Sequence, residues 1–165
     1  MPYYDTPTPE VAEIISSLIE EYYPDLKEAA ATIESLFAYD NKGGFPVKAG
    51  GYPALACIKI NNLKNRVKGF ADAEIVIDAE NFNAMTPEQR RALLDHELMH
   101  LIVVRDKEGA VKTDDASRPK IRLKKHDYQM GWFREIALRH GENSPEVYQA
   151  KMLWQKDGRT FFPKV

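Results

Sequence analysis

Residues 86–103 constrain the fold of this chain most, because strong helix signals there surround an unusual spacing of polar side chains. Thr86 suits an N-cap, Pro87 the first helical position and Gln89 the third position of a capping box. Nothing from there to about Val103 breaks a helix, and leucines cover several of its sides. A helix that is apolar nearly all round is a buried one. We therefore expect a buried helix on which the rest of the domain packs.

Two histidines and a glutamate in this helix have the spacing of a metal site. His96 and His100 are four positions apart, and residues i and i+4 are neighbours on a helix, with Cβ atoms about 5–6 Å apart. Their ring nitrogens can bind one Zn²⁺ together. Glu97 follows His96 at the edge of the same face, where a general base would stand. A hydrogen-bonded pair of core histidines is the alternative, and the capped, buried helix favours the metal.

A catalytic zinc usually has three protein ligands, and two downstream residues are candidates for the third. His126 lies at the start of the next predicted helix, and Glu135 lies within that helix. Spacing alone does not decide between imidazole and carboxylate. We favour His126, because Asp127 can cap the following helix and hold the backbone in place, or hydrogen-bond to the imidazole. His140 is most simply a residue at a helix C-terminus.

Composition narrows the class of protein. The chain has 165 residues and a net charge of −2. This small negative charge argues against an overall positive electrostatic field that would attract nucleic acid or an anionic membrane. With a single cysteine, Cys57, the chain cannot form an intrachain disulfide, which favours a reducing compartment. Cys57 lies in an apolar run, and we interpret it as a small core residue. There is no signal peptide pattern and no run of about 18 apolar residues. We expect a soluble cytoplasmic protein.

The remaining patterns predict helices and strands in one α+β domain. This domain would comprise an N-terminal helix in residues 1–28, a core in residues 30–142, and a C-terminal helix and tail in residues 143–165. Residues 79–85 are expected to form a loop before the histidine-bearing helix. The predicted strands are residues 32–39, 55–60, 73–78 and 120–124, with a hairpin at 103–111, and the predicted later helices are 128–139 and 144–155.

These motifs resemble the phage metallopeptidases. The resemblance covers about residues 30–142 and includes the helix with HExxH, the pair His126-Asp127, and the sequence Arg139-His140-Gly141. More distantly, the chain is similar to the SprT-like and Spartan zinc proteases. The resemblance implies a small zincin-like α+β fold, in which a short mixed sheet packs on the HExxH helix with helices flanking it. It also implies zinc ligands at His96, His100 and His126 and a base at Glu97, while residues 105–118 look like an insertion.

The function expected from these residues is zinc-dependent hydrolysis of peptide bonds. Glu97 would take a proton from a zinc-activated water and pass it to the leaving amine. We expect Ala73–Asp78 to be the sheet edge beside the metal, where an extended polypeptide substrate could add as a strand. Tyr128 is a candidate oxyanion donor, although a buried tyrosine on a helix face explains it more simply.

A basic stripe suggests a more specific substrate. Ile121 and Leu123 should face inward and leave a row of cations, joined by Arg118, facing outward. The stripe comprises Lys120, Arg122, Lys124 and Lys125. It would protect an edge strand from aggregation or hold DNA or a DNA-bound protein near the zinc, and the first explanation is favoured.

Two other functions are compatible with a zinc site. A non-catalytic zinc-stabilised module that binds protein or nucleic acid would not need a base, and the presence of Glu97 argues against it. Hydrolysis of non-peptide amides in cell walls would share the metal chemistry but usually requires export, for which the sequence has no signal.

Overall fold

The computed structural model describes residues 1–126 and 131–157, with side chains as far as residue 151, and has an α+β architecture. The strands are β1 (Pro2–Asp5), β2 (Ile33–Asp40), β3 (Lys48–Ala49), β4 (Tyr52–Pro53), β5 (Ala56–Ile60), β6 (Ala73–Asp78), β7 (Leu101–Val103) and β8 (Ile121–Leu123). The helices are α1 (Pro9–Tyr22), α2 (Pro24–Glu28), α3 (Leu63–Val67), α4 (Ala79–Ala84), α5 (Pro87–Met99), α6 (Arg134–His140) and α7 (Pro145–Asp157). The predicted α+β class is therefore confirmed.

The central sheet has the strand order β1-β2-β6-β5, in which only β2 and β6 run parallel. Our expectation that Ala73–Asp78 would be an edge strand is wrong, because β6 has a partner on each side. Ala73, Ile75 and Ile77 are fully buried, as expected for the core-facing residues of a strand inside a sheet. The edge strand on this side of the sheet is β5.

The helix that carries the histidines, α5, begins as predicted. The Gln89 backbone N–H donates to the Thr86 hydroxyl, and the Gln89 side chain accepts from the Thr86 N–H, which completes the capping box. The helix ends at Met99 rather than near Val103. The β-branched residues that follow favour an extended chain, and they form β7 instead.

The hairpin predicted at residues 103–111 is confirmed, because an antiparallel bridge joins Arg105 to Val111 and the Asp106 N–H donates to the Ala110 carbonyl beside the turn at Gly109. A further bridge joins Thr113 to Pro119, and β7 pairs antiparallel with β8. Ile121 is buried as predicted, but the prediction that Leu123 faces inward is wrong, since 46% of it is exposed. Strand β8 is only three residues long, and Leu123 at its end faces the cleft described below.

Several further elements were not predicted, among them α3, the β3–β4 pair, α4 and β1. Residues 79–84, expected to be a loop, form α4, which is capped by the Asp78 side chain accepting the Asn81 N–H. Strand β1 pairs antiparallel with β2, and all of its residues are exposed, so it has no apolar alternation to reveal it. The helix predicted at residues 128–139 begins later than expected, at Arg134, and residues 131–133 before it are not helical. Residues 127–130 lie outside the described ranges.

A buried carboxylate joins α5 to the elements on either side of it. Asp95 has no exposed surface and accepts hydrogen bonds from the Tyr23 hydroxyl, from Arg139 at 2.5 Å and from His140 at 2.6 Å. His140 therefore has a specific partner in addition to its place at the C-terminus of α6. Burial and the neighbouring Asp95 charge raise the pKa of Tyr23 well above its ordinary value, so this hydroxyl remains a donor.

Within the residues that the structure describes, none of the helices combines the length and the hydrophobicity that spanning a bilayer requires.

We expect Tyr23→Phe to lower the free energy of unfolding by about 1–3 kcal/mol, because it removes a hydrogen bond to a buried charged group. Urea denaturation of the purified protein measures this change. Tyr4→Phe is the matched control, since Tyr4 is 55% exposed. Equal stabilities for the two variants would contradict the role given to the Tyr23 hydroxyl.

Candidate metal centre

Three imidazoles converge at the C-terminal end of α5. His96 lies in the last turn of this helix, His100 is the residue directly after it, and His126 follows β8. One nitrogen from each lies within 4.8 Å of the others, and the Nε2 atoms of His96 and His126 are 3.2 Å apart. Among the residues described, this is the one group of histidine, cysteine or acidic side chains arranged to hold a metal ion. Glu135, the other candidate third ligand, is exposed on α6 and does not belong to it.

The outer nitrogens of two imidazoles are held by acceptors. Nδ1 of His96 lies 2.5 Å from Oε1 of Glu146, and Nδ1 of His100 lies 2.7 Å from the carbonyl oxygen of Lys124. Because a carbonyl can only accept, Nδ1 of His100 carries the proton and Nε2 keeps its lone pair. A carboxylate or carbonyl behind the ring is the usual arrangement for a histidine that binds a metal. These donors therefore fit a zinc ion, which binds imidazole readily.

Glu146 is a site residue that the sequence did not reveal. It lies in the first turn of α7, where a glutamate is already explained by the helix dipole. In the fold it is buried and accepts the Phe133 N–H as well as contacting His96. Only the packing of α7 against α5 shows this role, because 50 residues separate the two partners.

Phe133 packs against all three imidazoles and was also not predicted as a site residue. Its ring centroid lies 4.9 Å from that of His96, 4.8 Å from that of His100 and 5.1 Å from that of His126. The ring is fully buried. Its contacts limit rotation of the histidines and so hold their nitrogens near one another. Gly131, at a φ of +78°, approaches the His126 ring from the chain segment before Phe133.

The electrostatic environment differs among the ionisable groups. Burial raises the pKa of Glu97, against the opposing effects of the His96 charge and a hydrogen bond from the Ile58 backbone. Burial also lowers the pKa of His100. For His96, burial acts in the same direction, but the hydrogen bond to Glu146 and the charge of Glu97 outweigh it and raise the pKa. A carboxyl group with a raised pKa is suited to taking and returning protons near neutral pH.

A cleft of about 570 Å³ opens onto the imidazoles and Glu97. Strand β5 forms one wall, and Cys57 on this strand is half-buried and lines the cleft, so our description of it as a core residue is only partly correct. The Asp78 N–H donates to the Leu55 carbonyl, and backbone groups in an antiparallel pair alternate in direction. The backbone groups of Ala56 and Ile58 therefore point away from β6.

The predicted basic stripe is only partly present as a surface. Lys120, Arg122 and Lys125 are exposed, whereas the Lys124 ammonium lies 5.3 Å from the centroid of the Phe133 ring. Arg118 does not join the stripe as expected, because its guanidinium donates to the buried Asp72 carboxylate at 3.0 Å. Asp127 and Tyr128, for which capping and oxyanion roles were considered, lie outside the described residues.

We expect the purified wild type to bind about one zinc ion per chain, as a three-histidine site should. Alanine variants of His96, His100 and His126 should each lose most of this zinc, and Glu135→Ala, with an exposed carboxylate, should retain it. Metal analysis after dialysis measures the stoichiometry. Loss of zinc in Glu135→Ala together with retention in His126→Ala would reverse the assignment of the third ligand.

Glu146→Gln should weaken zinc binding by about 10- to 100-fold, because a neutral amide holds and polarises the His96 ring less well than a carboxylate. Competition with a chromophoric chelator measures the affinity. Glu142→Gln is the control, since Glu142 lies nearby in sequence but is exposed and paired with Lys151. Unchanged affinity in Glu146→Gln would show that the His96 contact does not support metal binding.

Comparison with known protein families gives a match over nearly the whole chain. A family model described as "Putative phage metallopeptidase" matches residues 3–159 of the chain. No curated protein and no solved structure matches it significantly. The matched region includes nearly the whole sequence and all of the residues that line the cleft. The chain therefore belongs to the family of putative phage metallopeptidases.

Proposed function

We propose that the protein is a zinc-dependent peptidase, with His96, His100 and His126 as zinc ligands and Glu97 as the catalytic base. The observation that carries this proposal is the convergence of three imidazoles beside a buried glutamate in an open cleft. Membership of a metallopeptidase family supports the same reaction. Zinc is the proposed ion because three neutral imidazoles and an open position form a common catalytic zinc site. Such an ion would act as a Lewis acid and lower the pKa of water towards about 7.

Glu97 has the position and environment of a proton carrier. Its raised pKa, caused by burial, brings the carboxyl group closer to the pH at which it would work. The Ile58 backbone holds the carboxylate from the β5 side. In the proposed reaction, Glu97 accepts a proton from the attacking water and then delivers it to the nitrogen of the leaving amine, so that the carboxylate is regenerated.

Residues behind the histidines orient the site rather than react. Glu146 and the Lys124 carbonyl hold the Nδ1 atoms of His96 and His100, and Phe133 packs against the rings. Orientation of this kind reduces the reorganisation needed when the substrate carbonyl arrives. The proposal therefore assigns these three residues positioning roles.

The substrate proposed for this site is an extended polypeptide that adds to β5. This strand replaces Ala73–Asp78, whose place inside the sheet excludes such a role. Ala56 and Ile58 direct backbone groups away from β6 and line the cleft, and the Ile58 backbone also holds Glu97. An added strand could bond to the outward-facing backbone groups of Ala56, because strand addition uses the edge of a sheet.

A DNA-associated substrate is not included in the proposal. Lys124 packs on Phe133 and Arg118 is paired with Asp72, which leaves a shorter row of exposed cations on a strand edge. Protection of that edge from aggregation accounts for the row. A DNA partner, suggested by the basic stripe and by the distant resemblance to the Spartan group, stays a prediction.

We expect Glu97→Gln to reduce cleavage of an unfolded polypeptide by at least about 10²-fold, because it removes the general base, while zinc content and folding are retained. Gel analysis of fragments, metal analysis and circular dichroism measure these three properties. Glu88→Gln, an exposed change in the first turn of the same helix, is the control. Unchanged turnover would exclude Glu97 as base, and a zinc-loaded wild type without turnover would favour a non-catalytic binding module.

A further inference from the structure

The cleft walls near the histidines are apolar. Apart from the imidazoles and Glu97, none of the described residues that line the cleft carries a formal charge. The larger apolar members come from the β3–β4 hairpin, β5 and the residue before it, α5, β8 and the start of α7. They are Tyr52, Pro53, Leu55, Ile58, Leu93, Leu123 and Pro145, and the lining also includes the amide side chain of Gln149.

Two of these residues leave large apolar surfaces in contact with water. Tyr52 is 77% exposed and Leu123 is 46% exposed, and both line the cleft. When a ligand covers exposed apolar surface in a concave site, removal of that surface from water contributes favourably to the free energy of binding. A side chain bound in this cleft would remove parts of both residues from water.

Among the described residues, the cleft walls away from the three imidazoles offer no ion pair to a charged side chain. The Glu97 carboxylate is buried and held by the Ile58 backbone, and the Lys124 ammonium packs over the Phe133 ring. A charged group that enters such a cleft loses hydration without a compensating ion pair. The described walls therefore discriminate against charge as well as favouring apolar contact.

A second cavity, next to the cleft, shows that the apolar lining is confined to the region near the histidines. A cavity of about 100 Å³ shares Leu55, Leu93 and Pro145 with the cleft. Its remaining lining includes polar groups, namely Asn81, Gln89, Asn143 and Tyr148. The cleft at the histidines therefore has mainly apolar walls, whereas the adjoining cavity on the other side of Leu93 has several polar side chains in its walls.

We propose that the cleft selects extended polypeptides by an apolar side chain next to the peptide bond to be cleaved, with Leu123 and Tyr52 as specificity-determining residues. This inference rests on the proposed function of the site. In strand addition the backbone supplies affinity, and the pockets that receive alternate side chains supply specificity. The apolar walls beside the histidines are such a pocket.

Binding to the zinc-loaded Glu97→Gln protein tests this inference without requiring turnover. The probes are short fluorescent peptides of Gly, Ser and Ala with one central Leu, Phe, Asp or Lys, and fluorescence anisotropy gives the Kd of each. We expect the Leu and Phe peptides to bind about 10- to 100-fold more tightly than the charged peptides, as burial of a large apolar side chain predicts.

Charge introduced into either wall should change this order. In the same background, Leu123→Lys should favour the Asp peptide over the Leu peptide, and Tyr52→Asp should favour the Lys peptide. Leu138→Lys is the matched control, because Leu138 is 72% exposed on α6 and outside the cleft lining. It should leave the order unchanged.

The outcomes separate this inference from the proposed function. Equal binding of all four peptides, binding of none, or the same change of order in Leu138→Lys would overturn the inference. Peptide cleavage by the wild type is measured separately with the Leu and Asp peptides. Cleavage without an apolar preference contradicts the specificity alone, whereas apolar binding without cleavage contradicts the peptidase alone.

Discussion

The structure depends on pairing three consecutive ionisable side chains that α5 buries, Asp95, His96 and Glu97. A buried polar group is costly unless it has partners, and each of these side chains finds them in a different part of the fold. Asp95 joins Tyr23 to the end of α6, His96 contacts Glu146 of α7, and Glu97 meets the backbone of β5. One turn of helix thereby links the N-terminal helices, the sheet and the C-terminal helices.

This arrangement makes the candidate site a product of the entire fold. The HExxH segment alone supplies two imidazoles and a carboxylate, but β8 and the residues after it supply His126 and the Lys124 carbonyl. The C-terminal elements contribute Glu146 and Phe133, which are themselves joined by a hydrogen bond of 3.2 Å. Substitutions that displace α7 should therefore change the orientation of the His96 ring, even though α7 contributes no imidazole.

Local signals in the sequence predicted the local features well. The capping box of α5, the metal-like spacing of its histidines and the strand at Ala73–Asp78 all follow from short patterns. The position of that strand inside the sheet did not, because strand order depends on which distant segments pair with it. Glu146 and Phe133 were not predicted as site residues for the same reason. A glutamate in the first turn of a helix and an apolar residue before a helix both have simpler local explanations.

The two histidines of α5 differ in what holds them from behind. His96 relies on the side chain of Glu146, whereas His100 relies on a main-chain oxygen of Lys124. Every amino acid has that oxygen, so replacement at position 124 preserves the acceptor as long as the backbone stays in place. Replacement of Glu146 by a residue without a side-chain oxygen removes the other acceptor. The orientation of His100 is thus robust to mutation of its partner, and that of His96 is vulnerable.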